Sequence, residues 1–79
     1  MMLREHDSAV LAHDLPEYGL KSGDVGTVVM VHPRGGYEVE FMTLDGETVA
    51  VTSLSAEEVR PIARREIAHA RVIEAGAPR

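Results

Sequence analysis

The sequence predicts an all-β domain, a small barrel of short strands, and three observations indicate it. The run "LKSGDVGTVVMVHPRGGYEVEF" places a β-branched segment, a glycine-containing turn and a strictly alternating segment in succession. Asp45-Gly46 follows, a dipeptide that is favoured in tight hairpin turns. The chain has 79 residues, enough for one hydrophobic core. We therefore expect a single domain built from sequential β-hairpins.

Five predicted strands follow one another at residues 8–12, 24–32, 37–41, 48–54 and 59–62. In the third strand, Tyr37, Val39 and Phe41 share one face, whereas Glu38 and Glu40 share the other. This alternation is typical of a strand with one buried face, so the two glutamates should point outward.

A single helical turn is predicted before the last strand. Ser55 and Glu58 have the spacing of a capping box, but Pro61 follows too soon for a longer helix. Five short strands, a long first loop, two tight hairpins and this turn make the layout of an SH3-like barrel, which we assign to residues 1–62.

Two glycines surround Val25 in the stretch "GDVGT". Gly23 suits a turn, and Gly26 suits a bent strand that another part of the chain approaches closely. Asp24 between them is predicted to accept hydrogen bonds from the backbone amides of the turn.

Residues 63–79 form a predicted C-terminal tail that could be helical. Ile67, Ala70 and Ile73 are spaced to share one helical face, and Arg64 and Arg65 precede them. Two alternatives stay open for this helical tail. It packs back on the barrel, or it becomes ordered only on a partner.

Composition and charge exclude several classes of function. The chain has no cysteine, so it has neither disulfides nor a thiolate metal site. We expect no membrane segment and no secretory signal, and hence a cytoplasmic location. Up to Arg60 there are 4 basic against 11 acidic residues, and from Pro61 onward 4 arginines face 2 glutamates. An acidic body disfavours binding to nucleic acid.

No constellation of residues indicates catalysis. The serines lie in no nucleophile-elbow context, and the carboxylates are scattered. The pairs His6-Asp7 and His13-Asp14 contain metal-ligating groups, but neighbouring residues on a strand point to opposite faces. We therefore predict no enzyme, no cofactor and no metal site.

Binding to a partner is the class of function that remains. The candidate partner-binding residues are Tyr18, Glu38, Glu40, Arg64, Arg65, Ile67 and Ile73. For the glutamates the alternative is a solvated outer face that discourages edge-to-edge pairing, and for Tyr18 it is a ring that covers the core.

The segments "GDVGTVV", "GYEVEF", "DGETVAV" and "VRPI" carry a resemblance to a family of small bacterial SH3-like domains of unknown function. More distantly, they resemble the SH3-like part of the nitrile hydratase β subunit and KOW modules. The resemblance implies a barrel and a binding role, and members of such families often lie beside toxin-like genes. The metal-binding cysteines of nitrile hydratase belong to its other subunit, so no metal site carries over.

From these observations we expect a non-enzymatic SH3-like module that binds a protein partner, of antitoxin-like or accessory-subunit type. The partner would be toxin-like. A KOW-like nucleic-acid-binding module is the alternative function. Association with a second copy stays open, because so small a chain buries a modest fraction of its surface.

Overall fold

Five antiparallel strands form one sheet in the structure, a computed structural model that describes residues 2–73. The strands are β1 (Ser8–Leu11), β2 (Val25–Val31), β3 (Tyr37–Met42), β4 (Thr48–Leu54) and β5 (Val59–Pro61). Their order across the sheet is β4-β3-β2-β1-β5. The last strand thus crosses the sheet to pair with the first, and the three middle strands form a meander.

The prediction of an all-β fold with five strands is confirmed, whereas a closed barrel is not. Over residues 2–73, β4 pairs with β3 alone and β5 pairs with β1 alone, so the sheet stays open between these two strands. Irregularities in register lie between Val28 and Met30 and between Phe41 and Met42. Such bulges bend and twist a sheet locally.

The core lies on one face of the sheet and follows the predicted alternation. Tyr37, Val39 and Phe41 are buried. They pack with Leu3, Ala9, Leu11, Leu15, Leu20, Val28, Ala50, Leu54 and Val59. The backbone amide of Leu3 donates to the Tyr37 hydroxyl at 3.3 Å, which gives this buried phenol a partner.

Gly26 is a point of close approach, as the sequence predicted. It pairs with the buried Ala9 of β1, and a Cβ atom at this position would lie 2.7 Å from Cγ1 of Val39 and 2.8 Å from the carbonyl oxygen of Glu40. Position 26 therefore has room for glycine but not for a residue with a side chain. Gly23 differs, because its φ of +95° places it in a turn conformation that side chains disfavour.

The segment before β5 is a single turn, as short as predicted, and it does not continue into a helix. The amide of Glu58 donates to the Ser55 carbonyl at 3.0 Å, and Oε1 of Glu58 accepts from the Ser55 amide at 2.8 Å. The reciprocal contact of the glutamate is thus present, but β5 begins at Val59 and leaves no room for a helix. Within residues 2–73, the 3₁₀ helix Pro16–Tyr18 in the first loop is the one helical element.

The predicted helical tail is not confirmed. Residues 62–73 contain no helix, and residues 74–79 lie outside the described part of the chain. Arg65 has a φ of +60°, which interrupts any right-handed helix at this point. Its neighbour Glu66 accepts a hydrogen bond from the Ala63 amide at 2.6 Å and closes a local turn instead.

Candidate functional site

The outward face of β2, β3 and β4 is the candidate site. Glu38 and Glu40 lie at its centre, on the side of β3 opposite to the core. Because paired residues of antiparallel strands share a face, the register identifies their neighbours. We call the whole surface the acidic face. It consists of Thr27, Met30, Glu38, Glu40, Met42, Thr48, Val51 and Ser53.

Hydrogen bonds from neighbouring side chains hold Glu38 in place. Its Oε1 accepts from the Ser53 hydroxyl at 2.6 Å and lies 3.0 Å from Nε2 of His32. These two bonds, the one from Ser53 first, lower the pKa of Glu38 below its ordinary value. The carboxylate is therefore ionised at neutral pH, and 28% of the side chain is exposed.

Glu40 is held in a similar way. The Thr48 hydroxyl donates to its Oε2 at 2.7 Å. Ser53 and Thr48 both belong to β4, so each glutamate of β3 accepts a hydrogen bond from a side chain of β4. Glu38 is also bonded to His32, which follows β2. The acidic face thus carries two anchored carboxylates on one side of the sheet.

Apolar side chains surround these carboxylates. The exposed fractions are 50% for Met30, 50% for Val51 and 47% for Met42. Met30 pairs with Glu38, and Val51 pairs with Glu40. Between residues 25 and 54, Arg34 is the one lysine or arginine, against four acidic residues. The acidic face therefore combines exposed apolar side chains with negative charge, and its three strands contain no lysine or arginine.

Tyr18 is placed by the 3₁₀ helix of the first loop. Its side chain is partly buried and packs against the core, and its amide donates to the Leu15 carbonyl at 3.1 Å. This position agrees with the alternative in which the ring covers the core.

The four predicted tail residues do not form one surface. Arg64 and Arg65 are exposed in a turn, and Ile67 is 92% exposed. Ile73, in contrast, is partly buried against the core. The shared helical face that was predicted for Ile67 and Ile73 is wrong for the described residues, because the chain there is not helical.

Sequence reasoning missed the contact between the tail and the long first loop. The guanidinium group of Arg71 donates to both carboxylate oxygens of Asp24, and its Nη2 donates to the Gly19 carbonyl at 3.1 Å. Asp24 also accepts from the Lys21 amide at 2.8 Å, so its predicted role in the turn is confirmed. The side chains that anchor Glu38 and Glu40 were also missed, because hydroxyls one strand away leave no signal along the chain.

Across residues 2–73, no three His, Asp or Glu side chains converge as a metal ion would need. In the same part of the chain, no helix has the length and apolar character of a transmembrane segment.

The fold and this surface define a small all-β domain with an open five-stranded sheet and an acidic outer face. Residues 5–61 match the model of a domain of unknown function, DUF4926, and the chain belongs to that family. Neither the curated proteins nor the solved structures contain a match to the chain.

Proposed function

We propose that this domain is a non-enzymatic binding module whose acidic face holds a basic segment of a protein partner. The observation that carries the proposal is the pair of anchored carboxylates, Glu38 and Glu40, set among half-exposed Met30, Met42 and Val51. Apolar area supplies affinity in such interfaces, and charge supplies orientation and selectivity.

Anchoring matters because binding otherwise has to immobilise flexible side chains. A glutamate that is already held by a hydroxyl loses less conformational freedom when a lysine or arginine arrives. The lowered pKa of Glu38 keeps this group charged at neutral pH. A face prepared in this way favours a cationic partner over a neutral or acidic one.

The finer assignment is an SH3-like module of antitoxin-like or accessory-subunit type in the cytoplasm. The strand order β4-β3-β2-β1-β5 and the long loop between β1 and β2 support the SH3-like part. The absence of cysteine agrees with a reducing compartment. The antitoxin-like role rests on the sequence resemblance, and it would make the partner a toxin-like protein with a basic surface.

A titration with defined peptides tests the proposal. The probe is a capped heptapeptide, Thr-Lys-Thr-Val-Thr-Lys-Thr, and the comparison peptide has glutamate in place of both lysines. Amide chemical shifts of the isotopically labelled protein report where each peptide binds. We expect the basic peptide alone to shift resonances of the acidic face.

Matched variants separate this face from the overall negative charge. Glu38→Gln with Glu40→Gln removes two charges on the acidic face, and Glu17→Gln with Glu57→Gln removes two charges from exposed residues outside it. The first variant should weaken binding about fivefold or more, since two ion pairs are lost, and the second should change it less than about twofold. Equal weakening in both variants would refute the proposal.

The same assay with nucleic acid tests the KOW-like alternative. Single-stranded and duplex RNA and DNA should bind weakly at physiological salt, because the acidic face repels phosphates. Tight binding that weakens steeply as salt rises would favour the nucleic-acid-binding function instead.

A further inference from the structure

The free edge of β4 has little of the usual protection of an edge strand over residues 2–73: a bulge at Val49 is its one irregularity, and Ala50–Leu54 pair regularly with β3. Over residues 2–73, β4 pairs with β3 on one side and with no strand on the other. Its seven residues, "TVAVTSL", include no proline and no charged residue, and all but Ala50 and Leu54 are at least partly exposed. An edge of this kind is a template for pairing with another extended chain.

The opposite edge of the sheet is different. β5 has three residues and ends at Pro61, which lacks a backbone donor. The Arg60 side chain in this strand is bonded to Glu66 of the following segment. Short length, proline and an engaged charge are ordinary means of blocking an edge. Of the two edge strands, β4 is therefore the one that is more open to pairing with another strand.

The carboxylates of the acidic face lie beside this free edge. Glu38 bonds to Ser53 and Glu40 bonds to Thr48, so each carboxylate reaches from β3 to a side chain of β4. A strand added to β4 would lie about 4.8 Å farther out. Lysine and arginine side chains are long enough to reach back over that distance to both carboxylates.

We propose that the basic partner adds an extended segment to the free edge of β4 as a sixth strand. The inference rests on the proposed function and specifies its geometry. Side chains of the added strand alternate between the two faces of the sheet. On the outer face they would be basic opposite Ser53, apolar opposite Val51 and basic near Thr48, which gives the pattern basic-x-apolar-x-basic. Backbone hydrogen bonds provide the pairing, and the two ion pairs provide selectivity.

Charge argues for such a partner over a second copy of this chain. Two β4 edges paired with each other would present no cation to Glu38 or Glu40. The two glutamates of each copy would then remain without a cationic partner on the added strand. A basic segment instead neutralises two charges, each of which is bonded to a side chain of β4.

Backbone N-methylation of the peptide tests strand addition directly. Two versions of the heptapeptide Thr-Lys-Thr-Val-Thr-Lys-Thr carry N-methyl groups on alternate residues, one on the odd and one on the even positions. Their side chains and charges are identical, but successive amides of a strand point to opposite edges. One version should therefore lose about tenfold in affinity, and the other should bind much like the parent.

Hydrogen exchange provides a second measurement on the unmodified protein. With the parent peptide bound, backbone amides of β4 should exchange more slowly, and amides of β5 should be unaffected. Equal affinity of the two methylated peptides, equal loss in both, or unchanged exchange in β4 would each overturn the inference.

The outcomes also distinguish this inference from the proposed function. Binding that depends on Glu38 and Glu40 but ignores N-methylation would retain the proposed function and reject strand addition. Binding that ignores the glutamates would reject the proposed function itself. A peptide-free dimer with slowly exchanging β4 amides in sedimentation and exchange experiments would show that a second copy occupies the edge, against the inference.

Discussion

Arg71 and Asp24 are 47 positions apart in the chain and are joined by two hydrogen bonds of one guanidinium group. The Nε–Oδ1 distance is 3.1 Å, and the Arg71 side chain is 27% exposed. Asp24 precedes β2 and accepts from its own turn as well. The carboxylate therefore connects the long first loop to the segment that follows the sheet.

Replacing Arg71 by Ala should lower the free energy of unfolding by about 1 kcal/mol, because a bidentate and partly buried ion pair is lost. Arg64→Ala is the control, since Arg64 is an exposed arginine of the same segment. Urea denaturation of both variants measures the difference. Equal stability of the two would show that the segment around Arg71 contributes little to the fold.

Gly26→Ala should destabilise the domain by about 2 kcal/mol. The added methyl group meets Val39 and the backbone of Glu40, so the strands have to move apart. Thr27→Ala changes the next residue of β2 on the exposed side and should alter stability by less than about 0.5 kcal/mol. Thermal or urea unfolding compares the two, and a neutral Gly26→Ala would contradict the close approach.

Phe41→Ala should cost about 3 kcal/mol, because it empties part of the core. Met42→Ala changes the adjacent residue, which is 47% exposed, and should cost less than about 1 kcal/mol. A similar loss in both variants would mean that the two faces of β3 are not distinct. The pair thus tests the alternation on which the acidic face depends.

The contact between Glu66 and Arg60 predicts a dependence on acid. The hydrogen bonds from Arg60 and from the Ala63 amide lower the pKa of Glu66 from 4.5 to about 2. Since the folded state holds the proton less tightly than the unfolded state, this stabilisation is complete above about pH 4.5 and is lost as the pH falls toward 2.

An NMR titration of the Glu66 carboxyl group should accordingly give a pKa near 2. In Arg60→Gln the pKa should rise toward its ordinary value but not reach it, because the bond from Ala63 remains. Glu66→Gln should flatten the loss of stability between pH 4.5 and 2, and Glu57→Gln, at an exposed site, should not reproduce this effect. A pKa for Glu66 that ignores Arg60 would contradict the contact.

The strands were predictable from local pattern. The alternation of "YEVEF" assigned Phe41 to the core and Glu38 to the outer face, because the side-chain period of a strand is two. The Asp45-Gly46 turn is present as expected, with a Gly46 φ of +100°. The turn before β5 has the expected length, and the Glu58 side chain accepts from the Ser55 amide as the capping-box spacing predicts.

The helix predicted for the tail is wrong over residues 63–73. The spacing of Ile67 and Ile73 suits a helix, yet Ile67 is exposed and Ile73 packs against the core. Contacts with distant parts of the chain, such as that of Arg71 with the first loop, compete with helix formation and prevail. A short segment gains too little from helical hydrogen bonds alone to resist this.

By itself the sequence determined the class of fold and the inward and outward faces of the strands, because both follow from neighbours along the chain. Only the tertiary structure decided that β3 leaves no room for a side chain at Gly26 and that β4 forms the long free edge. It also decided that Ser53 and Thr48 bond to Glu38 and Glu40, and that Arg71 meets Asp24. These relationships join residues through strand order and register. No local propensity encodes them, because they arise from how the whole chain packs.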